Sequence, residues 1–402
     1  MNSASRTAEV RQTSDWTAIW LCLLAAMALV THAGKIAGTV PLIQTELSLS
    51  FTETGFLVAC FSGLAAITGV SFGRYLQRWR LWMLACCGLL LTGSASLLAS
   101  QTQIFEIFLF LRLLEGAGYM MGVTSLPAIM VAAAAARHQT LTMAIWSCFV
   151  PASLSLTLLG TAFGIDFLGW RGIWEATAFL CLATALILFF YFRKSAPPSA
   201  ISTEQRDARE PVRRIFEKPE IILMGLLFFF YSILFQPSIA YLPSLFLQNG
   251  DFGLRAGTVA TAMCLSVNVL GNLTVVPLLR RGFSVRQLLI FSTSINMICC
   301  ALIFVTALEA EWRLLAAVGF IGLSGVLPGA IWVRVGEMAA NRRQGQLFSS
   351  FIFQSAGLGQ VFGPILFAWA VDVTGKWEGS IFLLLLAGAA SIVVALRIRP
   401  AR

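Results

Sequence analysis

Charge is what this chain is short of. Asp, Glu, Lys and Arg make up 12% of its 402 residues, about half the share of an ordinary soluble domain, while hydrophobic residues reach 58%. That composition excludes a water-soluble globule. Histidine is scarce, with His32 and His138 its only two instances, and no cysteines stand in a CxxC arrangement, so neither a metal centre nor a dithiol redox site is expected. The nine cysteines (22, 60, 86, 87, 148, 181, 264, 299 and 300) all fall in apolar stretches and read as small packing residues. No Gly-x-x-x-x-Gly-Lys-Ser/Thr run is present to cradle a nucleotide, and no nucleophile, base and orienting group fall into one motif. ATP-driven pumping, enzymatic catalysis and a bound cofactor are therefore not expected.

What fills the chain instead is apolar sequence. A helix needs roughly 20 apolar residues to cross a bilayer core about 30 Å thick, and twelve stretches qualify, at 17–44, 52–75, 81–99, 104–132, 139–164, 173–193, 219–247, 254–280, 286–307, 312–340, 346–373 and 377–397. The first is too long for a removable signal peptide and has no small-residue cleavage site, so it is expected to remain as the first helix. With the N-terminus taken as cytoplasmic, 21 of the 28 Lys and Arg residues fall in the segments on that side. The opposite loops hold only Arg171, Arg255, Arg313 and Lys376, so the positive-inside rule puts both termini in the cytoplasm of a multi-pass protein of the inner (plasma) membrane. The net charge of +9 is thus topological, and no nucleic-acid partner is expected.

One polar, proline-containing interruption, 194–218, divides the spans into six and six. The expected organisation is an all-α integral membrane protein. A tail (1–16) precedes a six-helix half (17–193), and the linker (194–218) is followed by a second half (219–397) and a short tail (398–402). Two pseudo-symmetric six-helix halves that rock about a midplane site are a recurring carrier design.

Charges inside spans are costly and usually face an interior cavity. Lys35 in the first span and Arg112 in the fourth lie about 7–9 Å from the span centres, at 1.5 Å per residue and to the same side. They are candidates to bind an anion, with packing and snorkelling as the plainer alternatives. Glu115, one turn from Arg112, is the best-placed acid for proton coupling but could equally neutralise Arg112. His32 shares a helix face with Lys35 and is a second proton-coupling candidate. In the last six spans Tyr231, Gln236, Tyr241, Asn268 and Gln354 are neutral polar groups able to orient a substrate. Pro237 is expected to break its helix near mid-membrane. Arg334 and Glu337, three apart near the cytoplasmic end, suit an ion pair that latches a gate.

Several motifs resemble those of the major facilitator superfamily. The basic stretch Gly73–Arg80 is similar to the family's signature loop between its second and third helices, with Gln77 where an acid is usual. Arg112-Leu-Leu-Glu115-Gly116-Ala-Gly118 resembles its fourth-helix motif, and Gly169-Trp170-Arg171 its turn between helices five and six. Val150-Pro151-Ala152 stands where drug antiporters carry a glycine-rich Gly-Pro motif. Lys35 to Pro41, Leu126-Pro127 and Met143 to Ser147 are similar to cyanate-permease-like carriers. The resemblance implies that Arg78 takes part in gating and that helices one and four line a central cavity, where Lys35 and Arg112 would hold a small anion. It also implies a secondary active transporter working by alternating access. The expected cargo is a small organic anion and the expected partners are protons and membrane lipid, with one chain sufficing as a monomer. An efflux pump for amphiphilic metabolites, siderophores or drugs, and a sensor that has lost transport, stay open as alternatives.

Overall fold

The computed structural model describes residues 13–76, 80–147, 149–195, 211–339 and 342–398, and among these there is no β-strand. Helix α1 (Trp16–Glu46) starts where the Asp15 carboxylate accepts the Ala18 N–H at 3.0 Å, a side-chain N-cap that the Tyr191 hydroxyl holds in place at 2.7 Å. It is followed by α2 (Phe51–Leu76), α3 (Leu81–Gln101), α4 (Phe105–Ala133), α5 (Gln139–Ser147) and α6 (Phe149–Lys194).

At 1.5 Å per residue the 46 residues of α6 would reach about twice the thickness of a bilayer core. The chain turns back at Gly169, whose φ of +62° lies in the left-handed region open to glycine. Trp170 and Arg171, next in sequence, both donate to Glu46 at the end of α1, through Trp170 Nε1 at 2.5 Å and Arg171 Nη2 at 2.7 Å. The turn is thereby tied to the first helix. Counting α6 as two spans, the eleven described helices long and apolar enough to cross a membrane become twelve.

The later helices are α7 (Pro219–Gln248), α8 (Leu254–Arg280), α9 (Val285–Ile303), α10 (Ala310–Ser324), α11 (Val326–Met338), α12 (Arg342–Thr374) and α13 (Ile381–Leu396). The expected break at Pro237 does not occur, since α7 runs unbroken through Pro237 and Pro243. The Ser238 hydroxyl donates to the Leu234 carbonyl at 2.7 Å, next to the Ile233 carbonyl that Pro237 leaves without its helical donor. The interruption falls in the tenth span, between α10 and α11, where Asn268 Nδ2 donates to the freed Ile321 carbonyl at 2.6 Å and to Ser324 at 2.9 Å.

Helices α1, α3, α4 and α6 pack against one another in the first part of the chain. Contact with the second part runs chiefly through α2 on α12, α6 on α8 and α1 on α7. The α2–α12 seam is bonded along its length. Thr52 meets Asp372 at the end remote from the termini, Ser62 Oγ donates to Gln360 at 2.6 Å, and the Val70 N–H donates to Gln354 at 3.1 Å.

Candidate substrate site

Four ionisable side chains, His32 and Lys35 on α1 and Arg112 and Glu115 on α4, meet inside the first group of helices with no exposed surface. What lets α4 approach is Gly116: a Cβ there would stand 1.8 Å from the Phe61 carbonyl oxygen of α2. Glu115 is the hub. Its Oε1 accepts from Lys35 Nζ at 2.8 Å, and its Oε2 accepts from Arg112 Nη1.

Lys35 also donates to Ser96 Oγ at 2.5 Å and to His32 Nδ1 at 2.9 Å, and its ammonium lies 3.8 Å from the centroid of the Trp174 ring. An ammonium has only donors, so His32 Nδ1 must accept and the ring proton sits on Nε2, 3.3 Å from Cys181 Sγ. The 3.3 Å approach of Nδ1 to Glu115 Oε1 is then two acceptors sharing the Lys35 ammonium rather than a bond between them. Arg112 adds bonds from Nε to the Leu57 carbonyl (3.2 Å) and from Nη1 to the His32 carbonyl (3.0 Å), which fasten α4 to α2 and α1. With the imidazole neutral, two cations face one carboxylate, leaving one uncompensated positive charge buried in the membrane-spanning region.

The other candidates take different places. Tyr231 is buried, stacked on Phe235 of its own helix. Gln236 is half-buried and its amide makes no hydrogen bond among the described residues. Tyr241 is buried and shares a 3.1 Å hydrogen bond with Thr54 of α2. Asn268 serves the α10–α11 break, with Asn272 bonded to it at 3.2 Å. Gln354 donates to the Ala66 carbonyl (3.1 Å) and the Ile67 carbonyl (3.2 Å) of α2. Arg334 holds Glu220 at 2.7 Å and Glu337 at 2.9 Å, so the pair joins α11 to α7 and, among the described residues, makes no bridge to the first six spans. Arg78 lies outside the described residues.

Four residues that sequence reasoning passed over belong to the arrangement. Ser96 and Trp174 complete the Lys35 cage, Tyr119 packs on Phe61 at 5.1 Å between ring centroids, and Asp372 joins α12 to the start of α2. A serine or tryptophan in an apolar helix gives no signal of its own. The only clue to Tyr119 was its position seven residues, two helical turns, beyond Arg112.

Among the described residues the chain forms twelve spans of membrane length, with a buried charge cluster inside the first group of helices. The chain belongs to the Major Facilitator Superfamily, whose model matches residues 19–351. It is similar to the hexuronate transporter of Bacillus subtilis (strain 168), 23% identical over 90% of this chain and 89% of that protein. In three dimensions it resembles a bacterial homologue of the human lysosomal transporter Spinster in an inward-facing, occupied conformation. That match has a TM-score of 0.79 and 14% identity over 96% of each chain. The inward-open xylose transporter of E. coli matches with a TM-score of 0.72 and 16% identity, over 96% of this chain and 97% of that one.

Proposed function

We propose that this protein is a proton-coupled carrier of a small organic anion of the sugar-acid class, working in the inner membrane with both termini in the cytoplasm. The observation that carries the reading is the residual charge of the buried cluster. Lys35 and Arg112 share one carboxylate, and an unneutralised charge in a membrane interior is expensive. A substrate carboxylate is the chemical complement of that excess, and the similarity to a hexuronate transporter agrees with it.

The same geometry suggests how a proton could be coupled to the anion. Glu115 is the acceptor for both cations, so a proton on Glu115 removes the competing negative charge and raises the positive charge that the cluster presents to a substrate carboxylate. Proton and anion then enter the site together, and their loss on the other side restores the Lys35–Glu115–Arg112 bridge. In this reading the two six-helix halves, joined by the 194–218 linker, move as units about the site. Gln236 offers an unpaired amide from the second half, while Tyr241 and Gln354 hold the two halves together. One chain contains everything the cycle needs.

The test is counterflow and proton-driven uptake of radiolabelled glucuronate in proteoliposomes, with glucose as the uncharged control. Expected are accumulation of glucuronate with an inward proton gradient, collapse on adding an uncoupler, and no response to glucose. Uptake of glucose, or of bulky cations in place of glucuronate, would overturn the reading.

A further inference from the structure

The two cations of the cluster are not equivalent. All three N–H groups of Lys35 are taken, by His32, Ser96 and Glu115, and the Trp174 ring lies against the ammonium. Arg112 uses Nε on the Leu57 carbonyl and Nη1 on the His32 carbonyl and Glu115, whereas Nη2 donates to no group among the described residues. The Arg112 side chain keeps only about 1% of its surface accessible, so this unpaired nitrogen lies at the edge of the packed interior.

Tyr119 stands two turns further along the same face of α4, half-buried, and its hydroxyl also makes no hydrogen bond among the described residues. Phe61 connects the two: the Arg112 Cζ lies 4.9 Å from its ring centroid and the Tyr119 ring centroid 5.1 Å from it. The next residue, Ser62, bonds Gln360 of α12, so this corner lies where the two groups of helices meet. Unpaired donors are costly at membrane depth unless a cavity or a ligand serves them. Here a guanidinium edge and a phenol, fixed by packing on one ring, are both unserved.

We infer that Arg112 Nη2 and the Tyr119 hydroxyl are the two anchor points of the substrate subsite, the guanidinium taking the carboxylate and the phenol reading a hydroxyl of a hydroxylated acid. The inference rests on the sugar-acid reading and goes beyond it by naming which groups touch the cargo. Lys35 becomes a positioning residue that holds Glu115 and His32, and Tyr119 the residue that separates hydroxylated acids from plain ones.

The experiment is calorimetric titration of the purified full-length protein and of Tyr119→Phe with glucuronate, with cyclohexanecarboxylate, which has the ring and the carboxylate without hydroxyls, and with uncharged cyclohexylmethanol. Tyr119→Phe removes a group with no intramolecular partner, so it is expected to fold and melt like the wild type. Losing one neutral hydrogen bond should weaken glucuronate about five- to tenfold and leave cyclohexanecarboxylate unchanged, while cyclohexylmethanol binds neither protein. Equal affinity of Tyr119→Phe and wild type for glucuronate, or equal weakening of both acids, would overturn the subsite and leave the sugar-acid reading standing. Wild-type protein that binds neither acid would overturn both.

Discussion

Replacing Glu115 by Ala is expected to destabilise the protein by about 3–5 kcal/mol, the usual cost of removing one partner from a buried ion pair. The carboxylate is the one acid within reach of both Lys35 and Arg112 among the described residues, and all three side chains are fully buried. Its loss leaves two unpaired cations where the wild type has a net excess of one. Lys35→Ala acts in the opposite sense, since it leaves Arg112 and Glu115 as a neutral pair and deletes a residue whose bonds go to Ser96 and His32. The expected order of melting temperature is therefore wild type or Lys35→Ala highest, the Lys35→Ala/Glu115→Ala double variant intermediate, and Glu115→Ala alone lowest. A thermal-shift series in one detergent measures it. If the double variant melts no higher than Glu115→Ala, charge balance is not what holds this cluster together.

That cluster also shows how far the sequence could be read. Lys35 and Arg112 stood out because a charge in an apolar run is conspicuous, and helical rise alone placed them at similar depth; the structure brings both onto Glu115. The saturation of Lys35 was not legible. It depends on Ser96 and on the Trp174 ring, residue types common in any apolar helix, brought to α1 by the packing of α3 and α6. The misplaced helix break has a similar origin. Proline at 237 is a local signal, but whether a helix tolerates it depends on the groups packed around it, and α7 runs straight through it. In the tenth span Pro328, in the first turn of α11, cannot donate to the Ser324 carbonyl and so marks the break, which Asn268 from another helix also serves. The turn at Gly169 was legible through the resemblance of Gly169-Trp170-Arg171 to the family's turn between helices five and six, and the structure places the reversal there, with φ of +62° at Gly169.

Asp372 lay beyond sequence reading for the same reason, since its partners are some 320 residues away. It sits near the end of α12, yet it caps the start of α2. Its Oδ1 accepts the Phe51 N–H at 3.1 Å, and its Oδ2 accepts the Thr52 N–H at 2.7 Å and the Thr52 hydroxyl at 2.5 Å. A carboxylate at a helix N-terminus is favoured both by the hydrogen bonds and by the helix dipole. Supplied from the other group of helices, it closes the end of the bundle remote from the termini, beside the Tyr241–Thr54 bond and the 3.7 Å Arg255–Asp166 pair. A carrier that opens at that end must exchange the cap for water. Asp372→Ala is therefore expected to move the equilibrium towards the state open there by about 1–2 kcal/mol, the usual worth of an N-cap, with the charge contribution reduced by its exposure to solvent. That corresponds to roughly a tenfold change in population. The rate at which a membrane-impermeant maleimide modifies Thr54→Cys, a fully buried position at that end, should rise by a similar factor when Asp372→Ala is added. Asp372→Asn separates the two contributions, because its amide oxygen still caps without charge, and it should fall between. If all three backgrounds are labelled at one rate, the end is held shut by helix packing and the Arg255–Asp166 pair, and the cap is incidental to the transport cycle.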